Sequence, residues 1–351
     1  MVARIPDVKN ESRIRVLPFD EGRPIWTEML TKCTTATLYH QDSWLELLNR
    51  TYGFALHLAT LEENACVVAA CILARTKVPL RRRFVSLPFS DYCPPLALND
   101  HAALSLMEAL AHRSFPGAAI EVRGAGAAPG WHRAERFVNW TLHFEPGLAE
   151  VERQFSMNFR RNLRRAAREN IVVSRSSAED YLRRFYRMHL LTRRRFGLPA
   201  QPWRFFILLR EIFAPSNDLE IWLASRGGKD VAGAVIIRAA RAVYYKWGAR
   251  QPGDDSRANH LLMWNAIEYY CSRTDMIDLG RTDVGNSGLM RFKKELGASA
   301  TSIPYFYHPR APKQVSAEAL GGARKSVAAI WKNLPIFATR FLGRAIYRYL
   351  A

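Results

Sequence analysis

A strand, a helix, a second strand and a glycine-containing turn follow one another between residues 244 and 294, and they constrain the fold most. The aromatic run 244–248 predicts a strand, and residues 258–271 predict a helix. The apolar run 276–279 predicts a short buried strand that exits through Gly280-Arg281-Thr282-Asp283. Polar, glycine-containing turns at the ends of buried strands are where α/β folds expose reactive groups. We therefore expect an α/β fold with its chemistry at this turn.

The length and charge of the chain limit the number of its domains and the kind of partner it binds. A chain of 351 residues, 48% of them hydrophobic and 24% charged, exceeds one average domain, so two domains are expected. The formal net charge of +19 favours an anionic partner. RNA, a lipid headgroup, a nucleotide and a polysaccharide remain open, as does a basic surface that only aids solubility.

The five cysteines are odd in number and scattered, without the spacing of a zinc site or a disulfide framework. We expect no metal and a reducing cytoplasm. Residues 1–17 lack the apolar core of a secretory signal, and no segment reaches the roughly 20 apolar residues that cross a bilayer. The expected location is the cytoplasm, either free or peripheral at the inner face of the cell membrane.

The two halves of the chain show the same order of predicted elements: an antiparallel hairpin, a helix, a strand, a loop and a strand. This order indicates an internal duplication. We expect an N-terminal lobe over 1–145, a C-terminal lobe with the active cleft over 146–310, and a linker with a basic tail over 311–351. One helix is predicted across 147–169.

Four segments of the second half carry a family resemblance. They are Tyr245-Lys246-Trp247-Gly248, the helix start at 258–264, Asp278-Leu279-Gly280-Arg281-Thr282, and the run 288–294. With Ser86-Leu87-Pro88-Phe89 in the first half, they resemble Fem-type aminoacyl or acyl transferases. That tandem GNAT-like group includes BioF2-like acetyltransferases and exopolysaccharide-associated Fem-related proteins. The resemblance implies an α/β fold of two GNAT-like lobes in tandem, with mixed sheets flanked by helices.

Three residues are predicted to be catalytic. Asp278 or Asp283 would accept the proton of an attacking amine, which requires hydrogen-bond reach. An ion pair between either acid and Arg281 is the structural alternative. The resemblance implies that Lys293 contacts the donor and offsets charge on its carbonyl oxygen or leaving group. Phe292 should face the core and turn at least one of Lys293 and Lys294 outward.

A second set is predicted to bind the acceptor. Tyr245 and Trp247 alternate along a strand, so they should share one face and either pack in the core or line a cleft. Arg281 and Asn286 follow on the exit turn. The resemblance places Arg193 and Arg194 beside the acceptor, although cations at a helix C-terminus are also favoured by the helix dipole.

The donor is assigned to the start of the predicted helix at 258 and to basic side chains. Helix N-termini bind anions through free amides, but this turn lacks the glycine-rich loop of GNAT enzymes, which leaves both acyl-CoA and aminoacyl-tRNA open. An arginine-rich helical face is either a solvated surface or an anion contact. The predicted donor-binding residues are Arg257, Asn259, His260, Lys294, Arg161 and Arg164.

The predicted tail combines an apolar helical stripe with Lys332, Arg340, Arg344 and Arg348. Such a segment either lies on an anionic membrane or packs on the protein.

The resemblance, together with these features, implies an acyl or aminoacyl transferase acting on an envelope or exopolysaccharide precursor. Its co-substrate would be acyl-CoA or aminoacyl-tRNA, with tRNA as a partner, and no cofactor would be tightly bound. No cysteine or serine has an evident activating neighbour, so direct attack in a ternary complex is expected. The alternative is a non-catalytic protein that binds RNA, another anion or a membrane surface on a degenerate transferase scaffold.

Overall fold

The structure is a computed structural model that describes residues 12–78, 81–113, 118–145, 147–311, 331–335 and 347. The chain divides into two units. Unit 1 takes its described residues from Met1–His40, Phe54–Ala134 and Pro304–Pro312. Unit 2 takes its described residues from Gln41–Gly53, Glu135–Ile303 and Lys313–Ala351.

The first part of the chain supplies most of unit 1. Its elements are β1 (Arg13–Pro18), α1 (Phe19–Lys32), a 3-10 helix (Leu38–His40), α2 (Asp42–Tyr52), β2 (Ala55–Glu63), β3 (Cys66–Val78), β4 (Arg81–Val85), β5 (Leu96–Ala97), α3 (Asp100–Arg113), β6 (Ala118–Arg123) and β7 (His132–His143). No strand or helix was predicted over β1 and α1. Pro24 lies inside α1, where proline normally argues against a helix.

The second part supplies most of unit 2. Its elements are α4 (Leu148–Gln154), α5 (Met157–Ala167), β8 (Ile171–Ser176), α6 (Glu179–Arg195), α7 (Trp203–Phe213), β9 (Leu219–Arg226), β10 (Lys229–Ala239), β11 (Ala242–Arg250), α8 (Ala258–Tyr270), β12 (Met276–Asp283), α9 (Ser287–Glu295) and β13 (Ser299–His308).

The single helix predicted over 147–169 is wrong, because the chain breaks into α4 and α5. Phe155 and Ser156 leave the helical conformation, and the Ser156 hydroxyl accepts a hydrogen bond from the backbone N–H of Phe159. A serine in this role satisfies one of the free amides at a helix start, so it begins a new helix.

Each unit repeats one arrangement of strands. In unit 1 the order is β1-β2-β3-β4-β6-β13, with β5 on β3, and β4 and β6 are parallel. In unit 2 the order is β7-β12-β11-β10-β9-β8, and β11 and β12 are parallel. A three-stranded antiparallel run leads through a helix, α3 or α8, to the parallel partner in both units. The predicted duplication of element order is confirmed.

Helices cover both faces of the unit 2 sheet. One core joins Trp222, Ala232 and Ile236 of the sheet to Phe159 of α5 and Leu262 of α8. On the other face, α6 packs along β9, β10 and β11. The sheet is therefore buried on both sides, which fits its long apolar strands.

Most of the predicted basic tail lies outside the described residues, including Ile330, Phe337, Phe341, Arg340, Arg344 and Arg348. Within it, the side chains of Trp331 and Tyr347 are buried, and the Arg194 guanidinium donates a hydrogen bond to the Lys332 carbonyl. Among the helices that the structure describes, none is long and apolar enough to span a membrane.

Candidate active site at the ends of strands β11 and β12

The parallel pair β11 and β12 separates partway along its length. Pairing joins Ala242–Tyr244 to Met276–Asp278 and then ends. Both strands continue, β11 to Arg250 alongside β10 and β12 to Asp283 alongside β7. The predicted reactive turn lies on the part of β12 beyond this separation.

A bulge in β11 places Tyr245 and Trp247 on opposite faces, so the prediction of a shared face is wrong. Tyr245 is paired with Ile236 and Trp247 with Val235, which leaves Lys246 as the extra residue. One inserted residue reverses the alternation of side chains along a strand. Tyr245 packs against the core that contains α8, whereas the Trp247 ring lies 5.4 Å from Phe205 and Phe206 of α7.

The Tyr245 ring turns back along its own strand over Gly248. A Cβ placed on Gly248 would lie 1.9 Å from the Tyr245 hydroxyl oxygen, closer than any non-bonded contact. Burial raises the pKa of Tyr245 to about 12, so the phenol stays protonated at neutral pH. A side chain at position 248 would thus require this ring to move.

Asp278 is buried, with 1% of its surface exposed, and it fixes the shape of β12. Its Oδ1 accepts a hydrogen bond of 2.6 Å from the Gly280 N–H, and its Oδ2 accepts one of 2.9 Å from the Asn139 amide. Gly280 has φ of +75°, and the register with β7 shifts between Asp278 and Arg281. The carboxylate therefore holds a bulge at the point where β12 leaves β11.

Lys293 reaches the same bulge from α9 and is only 4% exposed. Its ammonium donates to the Gly280 carbonyl at 2.7 Å and to the Thr282 hydroxyl at 2.9 Å. Lys294 is the lysine that turns outward, as predicted, and half-buried Phe292 packs on Phe159 and His260. These contacts make Lys293 a positioning residue for the exit of β12.

The remaining residues of the exit turn point in different directions. The Arg281 guanidinium lies 4.3 Å from the centre of the Phe137 ring. Asp283 is exposed, and its Oδ1 accepts a hydrogen bond of 2.9 Å from the Gly285 N–H, while Arg136 lies 3.8 Å from its other oxygen. Asn286 caps α9 by accepting from the Leu289 N–H. Of the two predicted catalytic acids, Asp283 is thus the one exposed to solvent. Asn286 has a structural role as the cap of α9.

Two ion pairs connect the turn before α8 to neighbouring elements. Arg257 is exposed and has φ of +63° at the helix start. Asp254 pairs with Arg226, and Asp255 pairs with Arg165 of α5 at 3.2 Å. Two carboxylates therefore lie in the loop that precedes the predicted donor-binding residues Arg257, Asn259 and His260.

His260 is a packed side chain on the first turn of α8. Its ring lies 5.0 Å from that of Phe159 and 5.5 Å from that of Phe292, and none of the described residues hydrogen-bonds its Nδ1. Burial lowers the pKa of His260 to about 4, so the imidazole is neutral at pH 7 and a weak base. This geometry favours the structural interpretation of His260.

The two arginines predicted beside the acceptor end α6. The Arg193 guanidinium donates to the Pro199 carbonyl at 2.9 Å, and burial lowers its pKa. Sequence reasoning missed His189, one turn earlier, whose Nε2 lies 2.9 Å from the Gln201 side-chain oxygen. Burial lowers the pKa of His189 to about 3, helped by the charge of Arg193. No local pattern distinguishes such a histidine from an ordinary core residue.

Sequence reasoning also missed the contribution of α2 to unit 2. Trp44 stacks on Trp247 with ring centres 6.5 Å apart, and the Lys246 ammonium lies 5.4 Å from the centre of the Trp44 ring. Lys246 is the bulged residue of β11, so the aromatic surface next to the bulge comes from a distant part of the sequence.

The other predicted donor-binding residues lie on exposed surface. Arg161 and Arg164 are on the outer side of α5, and Lys294 is on α9. Among the described residues, no group of three or more His, Cys, Asp or Glu side chains is arranged to hold a metal ion.

Comparison with known proteins agrees with this geometry. Residues 153–294, from α4 to α9, match the family model described as Acetyltransferase (GNAT) domain. This part of unit 2 is similar to a GNAT domain. Its matched region contains β11, α8, β12 and Lys293. A comparison with curated proteins finds no match.

Solved structures similar to the chain share its fold at low sequence identity. FemX matches with a TM-score of 0.63 and 14% identity, over 87% of this chain and 99% of that one. The C-terminal domain of a putative lysylphosphatidylglycerol synthetase from Agrobacterium fabrum matches at 0.54 and 10%, over 86% and 97%. A tandem GNAT protein from the clavulanic acid biosynthesis pathway matches at 0.50 and 11%, over 86% and 100%. The predicted fold of two GNAT-like lobes in tandem is confirmed, and the match to the GNAT family model supports an acyltransferase.

Proposed function

We propose that the chain transfers an acyl or aminoacyl group from an activated carrier to an amine or hydroxyl of an envelope or exopolysaccharide precursor. The proposal rests on the end of pairing between β11 and β12. This separation lies beside the hydrogen bonds that Asp278 and Lys293 form with the backbone of β12. A linear donor can add to diverging strands through backbone hydrogen bonds. The names of FemX and of the lysylphosphatidylglycerol synthetase favour an envelope acceptor.

The proposed mechanism is direct attack in a ternary complex. The donor carbonyl would lie along β11 beyond Tyr244, and the acceptor would approach the exit turn of β12. Holding both reactants in line supplies much of the acceleration. Asp283, which solvent reaches, would accept the proton of the attacking group, and this step is worth about 10²–10⁴-fold in rate.

Lys293 would act through β12 in this mechanism. Its buried ammonium fixes the Gly280 carbonyl and the Thr282 hydroxyl, so the exit turn keeps one shape while the acyl group is transferred. A preorganised polar environment needs no rearrangement during the reaction. Arg193, Arg194 and Arg281 are proposed to orient an anionic part of the acceptor.

The donor is proposed to be acyl-CoA or an aminoacyl-tRNA. The carboxylates of Asp254 and Asp255 in the loop before α8 oppose a phosphate unless Arg226 and Arg165 neutralise them. The lack of a glycine-rich loop at this turn favours the second candidate function, a non-catalytic protein that binds RNA or another anion.

Thermal shift and turnover with acetyl-CoA, charged tRNA and uncharged tRNA separate these functions. The transferase predicts that one donor is consumed when amine acceptors are present. It also predicts that Asp283→Asn lowers the rate about 100-fold or more. The exposed acid Glu268 gives the matched control, Glu268→Gln, which should keep the rate. Equal responses to both RNAs without turnover of any donor would favour the binding protein.

A further inference from the structure

One side of α5 carries a row of exposed side chains. Met157, Arg161, Arg164 and Arg168 follow one another at intervals of four, three and four residues, which places them in line on a helix. All four are exposed, whereas Phe159 and Ala166 are buried. We name these four residues the α5 stripe.

The described acids of unit 2 do not neutralise the arginines of the α5 stripe. Within the part of the chain that the structure describes, Arg164 and Arg168 form no ion pair, and the Arg161 guanidinium donates to the Asn158 side-chain oxygen at 2.7 Å. Arg165, beside the stripe, pairs with Asp255 and lies 3.9 Å from Glu169. Like charges three or four residues apart destabilise a helix, so the stripe is costly unless an external anion contacts it.

Met157 begins the stripe and is 86% exposed, the largest value among the exposed large hydrophobic residues that the structure describes. A partner that offers only phosphates gives no favourable environment to this side chain. At a lipid surface, an apolar side chain enters the boundary of the acyl chains while guanidinium groups contact the phosphates. The combination of one exposed methionine with three unneutralised arginines therefore fits a membrane better than a nucleic acid.

We infer that the α5 stripe binds the surface of a membrane rich in anionic phospholipids. This inference concerns the surface of unit 2 and does not depend on the proposed transfer reaction. It assigns membrane contact to a helix of unit 2, separately from the predicted C-terminal tail. The partner is the lipid headgroup layer, so free inorganic phosphate should compete poorly.

The test is flotation of the full chain with vesicles of phosphatidylglycerol and phosphatidylcholine, compared with vesicles of phosphatidylcholine alone. The variant Arg161→Gln/Arg164→Gln/Arg168→Gln should bind the anionic vesicles roughly 100-fold more weakly, because each basic residue at the surface contributes about fivefold in affinity. Met157→Gln should lose about 5-fold or more from the apolar contact. Circular dichroism checks that each variant keeps the helices.

A matched control removes the same charge elsewhere. Arg13→Gln/Arg187→Gln/Lys229→Gln neutralises three exposed residues outside α5 and should keep most of the affinity. Equal losses in the two triple variants, or no binding of the unmodified chain to anionic vesicles, would overturn the inference. It would also be overturned if the α5 variant lost binding to bulk tRNA while vesicle binding stayed unchanged in all variants.

Discussion

The two parallel strand pairs, β4 with β6 and β11 with β12, end in different ways. In unit 1 the Ser86 N–H continues the pairing by donating to the Glu121 carbonyl at 2.8 Å, and the Arg123 N–H donates to the Ser86 hydroxyl. The Arg123 guanidinium donates to the carbonyls of Leu87 and Ser90. In unit 2 the pairing stops at Tyr244 and Asp278. The same arrangement is thus tied together by side chains in unit 1 and left separated in unit 2.

The charges at these two places differ as well. Glu121 of unit 1 is buried between Arg83 and Arg123. Burial acts to raise the pKa of Glu121, but the two guanidinium charges outweigh it and hold the pKa below its ordinary value. In unit 2 the ammonium group of Lys293 instead donates a hydrogen bond to a backbone carbonyl of β12. Unit 1 therefore closes the end of its parallel pair with a buried ion-pair network, whereas in unit 2 the strands separate at the place where we propose that the donor binds.

The largest expected effect is on the buried ion pairs of unit 1. Glu121→Gln leaves Arg123 buried without a carboxylate and should lower the free energy of unfolding by about 3–5 kcal/mol. Urea unfolding measures the change. The control Glu62→Gln breaks the exposed pair with Arg15 and should change stability by less than about 1 kcal/mol. Similar losses in both variants would contradict the structural role of Glu121.

The corresponding change in unit 2 is Lys293→Met. It removes the donor to the Gly280 carbonyl and the Thr282 hydroxyl, so we expect a loss of roughly 2–3 kcal/mol of unfolding free energy. Lys294→Met, on the exposed side of α9, should stay within about 0.5 kcal/mol. If both lysine variants unfold at the same urea concentration, Lys293 does not hold β12.

Gly248→Ala tests the packing of the separated strand itself. The added methyl group meets the Tyr245 ring and should cost about 1–3 kcal/mol. Because the Tyr245 hydroxyl oxygen makes the closest contact, adding Tyr245→Phe should restore part of the loss. Thermal or urea unfolding of the two single variants and the double variant gives this coupling, and strictly additive changes would exclude the contact.

The smallest expected effect is pH dependence at two histidines, one in each unit. Burial lowers the pKa of His40 and of His260 to about 4. The unfolded chain binds protons near the ordinary value of about 6.5, so each group stabilises the fold above that pH. This stability is lost as the pH falls from about 6.5 towards 4, by about 1–2 kcal/mol per histidine at pH 5.

Replacing each histidine by phenylalanine distinguishes the two sites. His260 packs between aromatic rings, so His260→Phe should keep stability at pH 7.5 and weaken the acid dependence. His40 has its Nε2 3.0 Å from the Pro94 carbonyl and its Nδ1 3.1 Å from the Thr37 N–H. His40→Phe should therefore lose stability at both pH values. Equal behaviour of the two variants in urea unfolding at pH 7.5 and 5 would remove the distinction.

Local sequence predicted the order of β11, α8 and β12, because the spacing of apolar residues and the identity of turn residues are properties of neighbouring positions. It also indicated an irregularity at Gly280, but as a turn that ends the strand at residue 279, whereas β12 runs on to Asp283 with a bulge there. It did not predict the opposite faces of Tyr245 and Trp247, because β10 decides that Lys246 is the extra residue. The burial of Lys293 and the place of Trp44 depend on contacts between distant segments in the same way.

Hydrogen–deuterium exchange on the full chain, with and without acetyl-CoA or aminoacyl-tRNA, tests the central claim most directly. The claim is that the separated strands of unit 2 receive the donor and that the corresponding place in unit 1 does not. We predict that one of the two donors slows exchange at residues 245–250 and 279–283 and leaves residues 86–93 unchanged. Protection confined to residues 86–93, or no protection at either place with both donors, would contradict it.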